Sequence, residues 1–205
     1  MVPSDALPQS FLDELKDLEL SYLTEEDPIR QSGFGGGPRR WREEREPILE
    51  AIETGGDLLD AGCANGYLLE CLVAWGRERG LKITPHGLDQ GTRLIELAKH
   101  RLPDFSANFH VGNAWDWRPP RQYRFVYTLH DCVPREYLPE CIHRIMRRMV
   151  APEGRLILGA YGSTSRAITP FDVAEFLRSI DLMVAGAAAG GHPAVASFAW
   201  VDNPS

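Results

Sequence analysis

The chain has 205 residues, enough for one domain with a full α/β core. Its 43% hydrophobic and 25% charged residues are ordinary for a soluble globular protein, and a net charge of −7 argues against a broad DNA- or RNA-binding face, which must neutralise phosphates. No run approaches the ~20 apolar residues of a membrane span, the start of the chain, with Asp5, lacks the basic segment of a signal peptide, and Cys63, Cys71, Cys132 and Cys141 form no C-x-x-C pair, so the expectation is a reduced cytoplasmic protein without disulfides or a zinc site.

In chain order, Ser10 to Thr24 carries Phe11, Leu15, Leu18, Tyr22 and Leu23 at helical spacing, with Ser10 as the N-cap. Gln31 to Pro38 holds four glycines around Phe34 and reads either as a linker or as a lid with glycine hinges. Arg39, Arg40, Trp41, Arg42 and Arg45 are interrupted by Glu43, Glu44 and Glu46, the pattern of a solvated helical face, although one arginine is free to meet either a cofactor's carboxylate or an acidic substrate. Pro47 starts a further helical turn through Glu53.

The stretch Asp57-Leu58-Leu59-Asp60-Ala61-Gly62-Cys63-Ala64-Asn65-Gly66-Tyr67 then organises everything that follows. It reads as a buried strand, a tight turn and the start of a helix, Leu68 to Trp75. Glycine lets the backbone turn sharply and lie against a ligand, and the first N–H groups of the helix face the same crevice. Asp60 places an acceptor at its mouth. His86-Gly87-Leu88-Asp89 closes the next apolar run, so a second carboxylate falls about 20 residues after the loop, where a doubly wound fold binds a ribose diol. A dinucleotide fingerprint would require glycine at Ala64 and Tyr67, which argues against NAD or FAD. Leu59-Asp60-Ala61-Gly62-Cys63-Ala64-Asn65-Gly66 instead resembles the first motif of class I S-adenosylmethionine-dependent methyltransferases, Leu-Asp-x-Gly-Cys-Gly-x-Gly, departing from it at Ala64. The resemblance spans roughly residues 38 to 202.

Beyond the motif, strand and helix alternate. Strands are expected at Lys82 to Asp89, Ala107 to Val111, Tyr123 to Leu129 and Gly154 to Tyr161. The intervening helices are expected at Thr92 to Leu102, stopped by Pro103, and in a long helix opened by Pro134 that turns Leu138, Cys141, Ile142, Ile145 and Met149 inward and Arg144, Arg147 and Arg148 outward. A helix at Phe171 to Ile180 precedes two strands, Met183 to Ala189 and Ala194 to Val201, joined as a hairpin through Gly190-Gly191-His192-Pro193. This order predicts an α/β fold: a Rossmann-like doubly wound, mostly parallel sheet, seven-stranded by the resemblance, with helices on both faces and a C-terminal antiparallel hairpin. Residues 1–37 would form a helical N-terminal segment with a Gly-rich lid or linker, and residues 38–205 a single methyltransferase domain.

The resemblance also implies the site. Gly62, Cys63, Ala64 and Asn65 match the loop under the methionine half of S-adenosyl-L-methionine, with S-adenosyl-L-homocysteine as the product. Asp60 matches the carboxylate that orders the loop or binds the amino group. Asp89 matches the ribose ligand and Gln90 the residue beside the adenine. Gly112-Asn113-Ala114-Trp115 resembles the family's Gly-Asp-Ala stretch at the adenine edge, with Asn113 as a neutral acceptor and Trp115 either stacked on the base or packed under the loop. Thr128-Leu129-His130-Asp131 falls where the acceptor is positioned, with Leu129 also against the cofactor, and lacks the Asn-Pro-Pro-Tyr motif of some amino-methylating members. His130 is the candidate general base, set against a histidine that merely bonds the backbone, with Tyr127, Tyr161 and His192 behind it. No metal set is read. The expected enzyme methylates a small molecule without DNA or a membrane as partner, acting as a monomer or homodimer. Its acceptor contacts would come from the N-terminal segment, the loop after Leu129 and the loop at Tyr161 to Thr169. The rivals are an RNA or protein methyltransferase using the arginines at 39–45 and 144–148, a non-catalytic cofactor-binding protein of the same fold, and an NAD-dependent oxidoreductase.

Overall fold

A computed structural model describes residues 6–163 and 166–204, so Asp5 and the centre of the 161–169 loop lie outside the described residues. Seven strands form one sheet: β1 (Gly56–Ala61), β2 (Ile83–Asp89), β3 (Phe109–Val111), β4 (Tyr123–Leu129), β5 (Val150–Tyr161), β6 (Val184–Gly190) and β7 (Ala196–Asp202). Their spatial order is β3-β2-β1-β4-β5-β7-β6. β1 pairs in parallel with β2 and β4, and β2 and β4 continue in parallel to β3 and β5. β7 is antiparallel to both β5 and β6, which completes the expected Rossmann-like sheet with its C-terminal hairpin.

The sheet is covered on both faces because its strands are apolar on both. Side chains alternate with a period of two, so Leu58 and Leu59 point to opposite faces, as do Ile157 and its neighbours Leu156 and Leu158. On one face lie α2 (Gly37–Arg45), the 3₁₀ turn Glu46–Ala51, α3 (Tyr67–Glu78) and α4 (Thr92–Arg101), which bury Trp41, Ile48, Leu49, Leu69, Leu72 and Ile95. On the other lie α5 (Leu138–Arg148) and α6 (Val173–Ser179), which bury Leu138, Cys141, Ile142, Ile145, Val173 and Leu177. Each such side chain removed from water contributes about 1.5–3 kcal/mol. α1 (Gln9–Tyr22) contributes no buried residue. No helix among the described residues is long and apolar enough to cross a membrane.

Several boundaries differ from those read from the sequence. α1 begins at Gln9, after Pro8, with no side-chain cap, so Ser10 lies inside the helix and not at its start. Pro134 opens only a turn, and α5 starts at Leu138 with Pro139 in its first turn, where proline's missing N–H costs nothing. β3 shortens to three residues because 103–108 coils as 3₁₀ helix. β5 reaches back to Val150, which pairs with Tyr123 before the register shifts. That shift coincides with Glu153 at φ 59°.

Candidate functional site

The strand order reverses between β1 and β4, and a crevice opens at the C-terminal ends of these strands, where doubly wound sheets bind ligands. The turn after β1 is fixed by main chain: the N–H groups of Gly62 and Cys63 both donate to the carbonyl of Leu88, at 2.7 and 3.1 Å. Gly62 has φ 106°, and a Cβ placed there would meet nothing within 4 Å, so its backbone faces open space. Gly66 has φ 74°, and a Cβ there would come within 2.8 Å of the Ala98 side chain; glycine allows α3 to start against α4. Ala64, the departure from the motif, has φ 45°, in the left-handed region that favours glycine.

Asp89 ties this loop to the next. Its Oδ2 accepts from the N–H of Ala64 at 2.9 Å and its Oδ1 from that of Gly91 at 2.8 Å, so each oxygen of this crevice-lining residue keeps capacity for a further donor. Burial raises its pKa, opposed by these two hydrogen bonds. Asp60, 3% exposed, is raised to about 8 by burial and then by the Asp89 charge. Asn65 plays a structural part: its Nδ2 donates to the carbonyl of Pro28 and to Gln31 Oε1, both at 3.0 Å, while its Oδ1 accepts from the Tyr67 N–H at the start of α3.

Gln90, Leu94, Gly112, Asn113 and Ala114 line the end of the crevice beside β2 and β3. Asn113 Oδ1 accepts from the N–H groups of Trp115 and Asp116, at 2.9 and 3.2 Å, so only its Nδ2 is turned to other partners. Trp115 takes the packed alternative: it is fully buried, meets Tyr137 edge-on at 5.1 Å and is covered by the Arg144 guanidinium at 3.8 Å. α1 crosses the mouth with Leu15, Leu18 and Tyr22 facing in. It is anchored where Glu19 Oε1 accepts from the Arg93 N–H at 3.0 Å, in the first turn of α4, where a carboxylate also complements the helix dipole. Burial, then Asp131 and Asp89, raise the pKa of Tyr22.

Trp41, Arg45, Asp60, Tyr127, Leu129, Asp131, Cys132 and Tyr161 line the other end. The hydroxyls of Tyr127 and Tyr161 are 3.1 Å apart, and burial raises both pKa values. His130 is not among these lining residues: its ring stacks on Phe171 at 4.8 Å, and its Nδ1 is buried without a hydrogen-bond partner. His192 is exposed in the β6–β7 turn. Phe34 packs edge-on against Trp41 at 5.6 Å and does not line the crevice. Among the described residues, no three His, Cys, Asp or Glu side chains are placed to hold a metal ion.

Arg45 is the residue that sequence reasoning left inside a group. Arg39, Arg40 and Arg42 each pair with the glutamate four positions on, but Arg45 has Leu49 there. That unmatched spacing was the available signal.

No protein-family model matches the chain, and no curated protein matches it in sequence. Solved structures do match its fold. An N-methyltransferase, NodS from Bradyrhizobium japonicum WM9 in complex with S-adenosyl-L-homocysteine, aligns with a TM-score of 0.69 at 16% identity over 93% of this chain and 98% of that one. DhpI, also solved with S-adenosyl-L-homocysteine, gives 0.65 at 18% over 98% and 99%. A methyltransferase from Aquifex aeolicus gives 0.55 at 16% over 93% and 97%. The chain has the fold of class I S-adenosylmethionine-dependent methyltransferases.

Proposed function

We propose that this chain is an S-adenosylmethionine-dependent methyltransferase acting on a small molecule. The observation that carries the reading is Asp89. At the end of β2, next to the strand where the sheet order reverses, it is oriented by the backbone of two loops and retains acceptor capacity for a ribose diol. Open space over Gly62 and the protonation of buried Asp60 fit the rest of the cofactor, because a bound ammonium and sulfonium would supply the positive charge that the Asp60 carboxylate lacks. Ala61, Gly62, Cys63 and Ala64 would support the methionine half, with Asn65 shaping the loop from behind. Gln90, Asn113 and Ala114 would border the adenine. Asn113 would there donate from Nδ2 to a ring nitrogen, where an acid would accept from the amino group.

The cofactor supplies an electrophilic methyl for in-line displacement. The chain contributes orientation and exclusion of water: α1 roofs the crevice, and Leu129 and Tyr127 wall the side facing the acceptor. A proton leaving the acceptor would pass to Asp131 at the crevice wall in preference to His130, whose ring is held against Phe171. Arg39, Arg40 and Arg42 bond Glu43, Glu44 and Glu46, and Arg144 and Arg147 bond Glu140, so these arginines offer little to an RNA backbone. Calorimetric titration with S-adenosylmethionine and S-adenosylhomocysteine tests the reading. Both should bind, and Asp89→Ala should weaken binding ~100-fold, about 2.7 kcal/mol. A folded protein that gives heat with neither ligand would overturn it.

A further inference from the structure

We infer that Arg45 is an oxyanion receptor for the methyl acceptor, and that the acceptor therefore carries a carboxylate or phosphoryl group; this rests on the methyltransferase reading. The Arg45 side chain is 7% exposed, yet it borders the crevice. Its guanidinium lies against three rings, 3.8 Å from the centroid of Trp41, 4.3 Å from Phe34 and 4.4 Å from Tyr161. Ring faces attract the charge but accept none of its five N–H donors in the usual way, and Nη1 is buried with no hydrogen-bond partner. The neighbouring carboxylate, Glu44, stands 3.8 Å away through Oε2, and its Oε1 already takes Arg40 at 2.8 Å. A planar fork held rigid by rings, with a buried donor left unpaired, matches the paired oxygens of a carboxylate or a phosphoryl group.

Position and charge indicate which molecule brings that anion. Tyr161, on which Arg45 stacks, ends β5, two strands and so about 10 Å from the β1 loop that would support the cofactor's amino-acid half. Among the described residues lining the crevice, Arg45 carries the only positive charge, whereas Glu19, Asp89 and Asp131 place carboxylates elsewhere along it. An anionic acceptor therefore has one favourable orientation, its anion at Arg45 beside the Tyr127–Tyr161 hydroxyl pair and its nucleophile turned back along the crevice.

Calorimetry with S-adenosylhomocysteine comes first; failure to bind would sink the methyltransferase reading and this one with it. Protein saturated with S-adenosylhomocysteine is then titrated with benzoate, phenylphosphonate and benzamide, which share a ring and differ in charge. At least one anion should bind ~10-fold or more tightly than benzamide, and Arg45→Met should erase that preference while keeping its affinity for S-adenosylhomocysteine within about twofold. Benzoate alone would identify the anion as a carboxylate, phenylphosphonate alone as a phosphoryl group. Equal or absent binding of the three probes overturns the inference. So does an Arg45→Met protein that loses S-adenosylhomocysteine but keeps 5′-methylthioadenosine, which lacks the amino-acid portion, because Arg45 would then hold the cofactor's own carboxylate. If Arg45→Met fails to fold, the wild-type preference for anions over benzamide decides the matter.

Discussion

The crevice is built differently at its two ends. Beside β2 and β3 it is shaped by main chain: Gly62 and Cys63 hang from the Leu88 carbonyl, and Ala64 and Gly91 grip Asp89. Under β4 and β5 it is shaped by side chains drawn from separate segments, with Trp41 and Arg45 from α2, Tyr127 from β4 and Tyr161 from β5. A surface made of peptide groups changes little when side chains change, and it suits a ligand shared by many proteins. A surface made of side chains can be rebuilt one residue at a time, and it suits a ligand particular to one protein.

Trp115 gives the strongest test of that division, because it sits in the stretch assigned to the adenine but packs into the core. Trp115→Ala should lower the unfolding free energy by about 3–5 kcal/mol in denaturant titration, while S-adenosylhomocysteine affinity under folding conditions stays within about threefold. A large affinity loss with little change in stability would return the ring to the adenine and break the division.

Asp60 lines the end under β4 and β5, and its effect should appear in pH. Its folded pKa, about 8, lies above the usual carboxylate range, so the folded chain holds this proton more tightly than the unfolded one. That contribution to stability is complete below pH ~4 and is lost as pH rises through about 8. A ligand that needs the carboxylate ionised should therefore bind up to ~50-fold more tightly at pH 8 than at pH 6, releasing a proton. Calorimetry in buffers of different ionisation enthalpy measures that release, and Asp60→Asn should abolish it. The smallest effect is expected at Ala64. Ala64→Gly should raise the thermal unfolding midpoint, a gain of about 0.5–1 kcal/mol, because φ 45° strains alanine but not glycine.

The same division explains what the sequence made legible. Asp60, Gly62 and Asp89 could be placed because the turn and the second strand are local patterns, and the strands fell out of apolar runs buried on both sheet faces. Asn65 and Asn113 lie in loops that line the crevice, but their amides are used by nearby backbone, a choice that depends on neighbours such as Pro28. Trp115 was left between two readings that only its contact with Tyr137 and Arg144 separates. Arg45 and Tyr161 are 116 positions apart and meet only after α2 folds over β5, so neither segment alone announces the other.

α1 gives the crevice its roof while burying no residue fully; only Phe11 and Leu12 reach the edge of the core. Glu19 on the Arg93 N–H, the inward row of Leu15, Leu18 and Tyr22, and the partly buried Phe11 and Leu12 hold it to the molecule, and Leu18 stays 42% exposed. A segment with so little to lose can swing away at a small fraction of the global unfolding free energy. A ligand would then enter through a local opening, fast relative to unfolding, and an occupant that fills the space beneath those three side chains would lengthen its own residence by holding the roof down.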